Sequence, residues 1–152
     1  MTKTAYICGP LTELDLGDKI YARRFYELIA DLYQRITGVR AFVPHEHCDP
    51  VVHVDLKPSE VDAIERKQVC ELTSVMVVVA LAPSWGGGIE VEMANHSGVP
   101  VVVLCEQEKL ASRGISRLLR GNPAVKLIIS YKDELSALSA LEDAFKAFLT
   151  SV

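Results

Sequence analysis

Two stretches of this chain, VMVVVAL at 75–81 and VPVVVLC at 99–105, are apolar without alternation. A strand with one wet face alternates apolar and polar residues, whereas a strand covered on both faces does not. Such runs therefore demand a parallel sheet with helices on either side. Three further β-rich runs fall at 4–8, 39–43 and 125–130. Helical spacing of apolar residues fills the gaps. At 18–35 the stripe is Ile20, Phe25, Leu28, Ile29 and Leu32, and at 133–149 it is Leu138, Leu141, Phe145 and Phe148. Shorter helices are expected at 59–72, opening with Ser59 and Asp62, at 88–96 before Gly98 and Pro100, and at 112–119 before Gly121.

This alternation predicts an α/β fold: a flavodoxin-like three-layer sandwich whose five-stranded parallel sheet has the order 2-1-3-4-5, because right-handed crossovers allow few others. The 152 residues make one domain, and 49% apolar content is enough for a core. The net charge of −4, with no basic run, excludes stable binding to nucleic acid. The chain shows no signal peptide and no apolar run of membrane-spanning length. Cys8, Cys48, Cys70 and Cys105 fit neither a CxxC motif nor a disulfide framework, so a cytoplasmic protein with reduced thiols is expected.

Ligands of such folds bind beyond the carboxyl ends of the strands. Three unusual segments fall there: Gly9-Pro10-Leu11, the loop PHEHCDP at 44–50, and APSWGGGIE at 82–90. In the last, Gly86, Gly87 and Gly88 let backbone N–H groups approach a ligand, at a helix N-terminus that favours anions. Glu90 is expected in the first turn of that helix, ionised and able to attack an electrophilic carbon. An acidic residue that merely complements the dipole is the plainer alternative. Glu92 lies about 200° further round the helix, so the two carboxylates cannot share a pocket.

The ordered set of AYICGP at 5–10, FYELIADL, VPH, VVVA, S-x-G-x-x-x-E-x-x-x-A (Ser84, Gly86, Glu90, Ala94), VPVVVL and ISRLLRG at 115–121 resembles the nucleoside 2-deoxyribosyltransferase superfamily. The pattern is most similar to its branch of 2'-deoxynucleoside 5'-phosphate N-hydrolases and CMP hydrolases. The resemblance implies that Glu90 is the nucleophile toward the anomeric carbon and that Tyr6 orients it. A core aromatic is the alternative reading for Tyr6. By the same resemblance, Ser84 replaces an acidic group that nucleoside-using relatives place near the 5'-hydroxyl. Ser116 would complete a 5'-phosphate cradle from a neighbouring subunit. The implied activity is hydrolysis of the base–sugar bond of a nucleoside 5'-monophosphate. A deoxyribosyltransferase and a non-catalytic nucleotide sensor are the alternatives. The implied partners are a small nucleotide or nucleoside and a second copy of the chain, in a dimer or larger assembly, with no membrane and no cofactor.

Two departures matter. Met76 stands where relatives carry an aspartate, and a thioether cannot be a general acid. The loop after the first strand, PLTELDLGD, is acidic, with Glu13 and Asp15 facing any phosphate. His45 is the candidate substrate contact or acid from the histidine loop, with His47 the runner-up. His45, His47, Cys48 and Asp49 offer zinc ligands, but their spacing fits no standard site, so no metal is expected.

Overall fold

A computed structural model describes residues 2–151. Its sheet has four parallel strands: β1 (Thr4–Cys8), β2 (Thr73–Val79), β3 (Val101–Glu106) and β4 (Val125–Tyr131), in the order β1-β2-β3-β4. The expected fifth strand at 39–43 is reduced to a single parallel bridge, Tyr6 to Phe42, on the outer edge of β1. Two backbone bonds hold it: Ile7 N–H to the Phe42 carbonyl at 2.9 Å and Phe42 N–H to the Ala5 carbonyl at 2.8 Å. The segment is too short to extend the ladder. It begins one residue after Gly38, which ends the preceding helix at φ 77°, and Pro44 already opens the next.

Seven helices are described. α1 (Leu16–Thr37) and α7 (Glu134–Thr150) cover one face of the sheet, with Phe25, Ile29, Leu141 and Phe145 packed on Ile7, Val77 and Leu104. α3 (Pro58–Leu72) and α4 (Trp85–His96) cover the other, with Val69, Val91 and Ala94 on Tyr6, Cys8, Met76 and Val103. Successive strand residues point to opposite faces. Tyr6 and Cys8 therefore face α3 and α4, while Ala5 and Ile7 face α1 and α7. Among the described residues, no helix is long and apolar enough to cross a membrane.

Three helix boundaries depart from expectation. α3 starts at Pro58, and its Lys57 N–H donates to the Glu60 carboxylate at 2.8 Å, so Ser59 does not cap it. Of the helix expected at 112–119 only α6 (Arg117–Arg120) forms; residues 112–116 are a turn with Arg113 at φ 61°, and an unexpected short helix, α5 (Gln107–Ala111), precedes it. α4 begins three residues early, at Trp85, so Glu90 lies in its second turn. The short α2 (Pro44–Cys48) occupies the histidine loop.

Candidate functional site

The site is assembled where β1 and β2 end and α4 begins. Ser84 is the N-cap of α4: its Oγ accepts from the Gly87 N–H at 3.1 Å. The cap compensates for three glycines, each of which costs about 1 kcal/mol in a helix interior. Gly9 is required by packing. A Cβ there would lie 2.3 Å from the Tyr26 hydroxyl, which donates to the Pro10 carbonyl at 2.6 Å.

A cleft of about 900 Å³ opens over these strand ends. Cys8, Gly9 and Pro10 line it from β1 and its loop, Ser84, Gly87 and Gly88 from the start of α4, and Ser116 from the cap of α6. Trp85 and Leu118, 88% and 87% exposed, stand at its rim. Gly86 lies outside the lining, with open space around its Cα. Ser116 caps α6 by accepting from the Leu119 N–H at 3.4 Å, and Ser84 is engaged in the same way. Each still has its O–H to donate. The ionisable groups in the lining are Cys8, Glu13 and Glu92, with no Lys, Arg or His among the described residues.

Glu92, exposed on the opposite flank of α4 from Glu90, borders the cleft. Its two oxygens accept from Asn95 at 3.0 Å and Asn122 at 2.9 Å, and these bonds hold its pKa below the ordinary value. Glu90 faces the other way, toward β1 and α3, and is 7% exposed. The Tyr6 hydroxyl donates to Glu90 Oε1 at 2.8 Å. Tyr6 is fully buried and stacked on Phe42, with ring centroids 5.4 Å apart. Burial, then the charge of Glu90, push the Tyr6 pKa well up, so it remains a donor. The Cys8 Sγ donates to the Gly87 carbonyl at 3.8 Å. Cys8 and Gly87 both line the cleft.

The residue that sequence reasoning missed is Glu65. It sits on α3 close enough to Glu90 for each carboxyl to shift the other's protonation. Desolvation and then the charge of Glu90 push Glu65 up to about 7. Burial raises Glu90 as well, while the neighbouring Cys8, Tyr6 and Glu65 oppose the rise. Two carboxyls so close cannot both ionise at low cost. Near neutral pH the pair therefore shares a single proton and a single charge. The signal was present in the sequence: Val61, Glu65, Val69 and Leu72 share one helical face, and Glu65 is the acid on that inward stripe.

This architecture is that of known structures. No protein-family model matches the chain, and no curated protein matches its sequence. Among solved structures, the CMP N-glycosidase BcmB of Clostridium botulinum superposes with a TM-score of 0.64 at 16% identity, over 93% of this chain and 99% of that one. The chain shares the fold of an N-glycosidase. BlsM superposes with a TM-score of 0.65 at 19% identity, covering 97% of this chain and 92% of that one. A conserved protein from Enterococcus faecalis V583 gives 0.61 at 16%, over 97% and 99%.

The histidine loop is not part of the cleft. His45 Nε2 pairs with Glu27 Oε1 at 2.9 Å, and neither His45 nor His47 lines the cavity. His47 stacks on Phe42 at 4.3 Å, behind Tyr6. The structure places His45 apart from the cleft lining: Pro44 starts a helix that turns the imidazole toward α1. Glu27, His45 and Glu46 come within ligand distance of one another. However, Arg40 already grips both oxygens of Glu46, and Glu27 is taken by His45. Met76 is fully buried in the core cluster on the α3 and α4 side of the sheet.

Proposed function

We propose that this protein is an N-glycosidase that cleaves the base–sugar bond of a nucleoside 5'-monophosphate, releasing free base and sugar phosphate. The observation that carries this reading is the pair of carboxyls, buried Glu90 and half-buried Glu65, beside the Tyr6 hydroxyl and behind the Cys8 and Gly87 lining of the cleft. Retaining glycosidases need one carboxylate as nucleophile and one carboxylic acid as proton donor. Glu90, whose charged form the Tyr6 hydroxyl favours, attacks the anomeric carbon. The C–N bond breaks, its electron pair leaves with the base, and the Glu65 proton goes to that base. Water then attacks the glycosyl ester, returns a proton to Glu65 and frees Glu90. Glu65 takes the role that the buried Met76 cannot.

The free N–H groups of Trp85 and Gly86 in the first turn of α4, with the Ser84 hydroxyl, offer a seat for a phosphate. A second reading is favoured by a specific observation: Glu13 and Glu92 line the same cleft without a balancing cation. Those charges repel a phosphate dianion and suit an unphosphorylated nucleoside, the substrate class of a deoxyribosyltransferase. A panel of nucleosides and their 5'-monophosphates, with base release followed by chromatography, decides between the two. Release from monophosphates alone supports the first reading, and release from nucleosides alone supports the second. Formation of a new nucleoside on addition of a second free base marks a transferase. A nucleotide that stabilises the fold without base release from any member sinks both and leaves a sensor.

We also read the protein as a homo-oligomer. The exposed Trp85, Ile89 and Leu118 at the cleft mouth offer apolar surface to a second copy, which sedimentation would reveal.

A further inference from the structure

Two walls of the cleft carry a serine each, Ser84 and Ser116, on segments far apart in the chain. On the first wall, the sheet ladder ends where the Ala80 N–H donates to the Leu104 carbonyl at 2.9 Å. The α4 helix begins where the Gly88 N–H donates to the Ser84 carbonyl at 3.1 Å. Between them the chain crosses the edge of the cleft, from Leu81 to Ser84. The second wall is the turn at 112–116, which ends on the α6 cap, Ser116. Lys109 of α5 holds both. Its Nζ donates to the Leu81 carbonyl at 2.5 Å, at the start of the crossing. Its own carbonyl accepts from the Gly114 N–H at 2.7 Å and from the Ser112 hydroxyl at 3.3 Å. Gly114 packs so closely that a Cβ on it would lie 3.2 Å from this oxygen. Glu106 flanks the ammonium at 3.4 Å. Because α5 follows directly on β3, an interior strand of the sheet, Lys109 stands on a rigid base.

We propose that Lys109 is a positioning residue that braces the two walls of the cleft against each other: its side chain holds the Ser84 wall and its main chain the Ser116 wall. A charge-assisted bond to a carbonyl is stronger than a neutral one, and the first wall has the greater need of it. Gly86, Gly87 and Gly88 weaken the first turn of α4. The point at which that helix starts therefore depends on the segment leading into it. With both serines tied to one residue, the separation of their hydroxyls is set by the fold and not by the ligand. A preformed seat of this kind lowers the cost of ordering a polar group between them. Lys109 lies outside the lining of the cleft and acts through these two segments. The structural part of this inference is independent of the glycosidase reading, and its kinetic part rests on it.

The test is ¹⁵N relaxation of the backbone amides in wild type, Lys109→Met and Lys109→Arg. Methionine keeps the length of the side chain and loses the donor. In Lys109→Met the order parameters of residues 84–88 should fall from about 0.85 to about 0.6 or below. Those of Val103 in β3 and of Gly114, whose bond is to the main chain of Lys109, should stay at the wild-type value. Lys109→Arg keeps a donor and should restore most of the loss at 84–88. In the base-release assay, Lys109→Met should raise KM about tenfold and change kcat by less than about twofold, with KM recovered in Lys109→Arg. Unchanged order at 84–88 in Lys109→Met overturns the proposal, as does a loss shared equally by Val103 and Gly114. Residues 84–88 already disordered in wild type overturn it too, and so does an active Lys109→Met enzyme with an unchanged KM. Should Lys109→Met fail to fold, Lys109→Gln, with a side chain one atom shorter, takes its place under the same expectations. A wild-type protein that releases no base refutes the glycosidase reading and leaves the relaxation measurement as decisive as before.

Discussion

Replacing Glu65 with Gln should make the protein more stable in mild alkali and almost inactive. In the folded protein Glu65 is pushed from an ordinary 4.5 up to about 7. A carboxyl whose folded pKa is raised contributes stability that is complete below its unfolded value and is lost as pH rises through the folded one. The window is therefore about pH 4.5 to 7, and the loss is complete by pH 8. At ~1.4 kcal/mol per pH unit, that displacement has a ceiling of roughly 3 kcal/mol. Glu65 is only half-buried, so solvent screening brings the effect to about 1–2 kcal/mol. Glutamine is isosteric and does not titrate. The variant should match wild type near pH 5 and exceed it by about 1–2 kcal/mol at pH 8. Urea unfolding at pH 5, 6, 7 and 8 reads this directly. The depressed carboxylates, Asp49, Asp133 and Glu92 among them, titrate below this window and do not confuse it. The same substitution removes the proposed proton donor, at a cost of about 10²–10⁴ in base release, and erases the alkaline limb near pH 7. Parallel stability curves for the two proteins between pH 5 and 8 would refute the shared-proton account.

Three other outcomes follow from the same geometry. Tyr6→Phe deletes the 2.8 Å bond to Glu90 but keeps the ring on Phe42; base release should fall about 10–100-fold, with the acid limb moved upward. Gly9→Ala forces a methyl group to within 2.3 Å of the Tyr26 hydroxyl and should cost about 1–3 kcal/mol in thermal or urea unfolding. Ser84→Ala removes the α4 cap at about 1 kcal/mol, and in kinetics it should raise KM for a monophosphate more than for the matching nucleoside.

The layers of the fold were legible because the buried strands advertise themselves. β1 lies where the sequence places it, and the unalternated valines of β2 and β3 shift by only two residues at either end. The 39–43 run misled because β-branched composition does not report whether a neighbour is long enough to pair with; here α2 begins before a ladder can grow. The start of α4 was misplaced because three glycines oppose a helix locally, and the Ser84 cap with packing on β1 overrides that preference. Glu90 and Tyr6 were legible as a pair through a motif, and the structure brings them into contact. Their exclusion from the cleft lining was not, since it depends on which flank of α4 meets α3. Glu65 stayed hidden among the acidic residues of α3, because a single carboxylate on an apolar stripe is visible only once the stripe is aligned with its neighbours. His45 was drawn toward the site by its place in the loop, where the sequence does not reveal that Glu27 is waiting on α1.

The account turns on whether the Glu90 carboxylate does chemistry. Rates of base release by wild type and Glu90→Gln, measured side by side on the best substrate of the nucleoside and nucleotide panel, address this most directly. The account predicts a loss of at least ~10³-fold in a variant that still folds. Equal rates would contradict it and leave Glu90 as a buried polar group of the core.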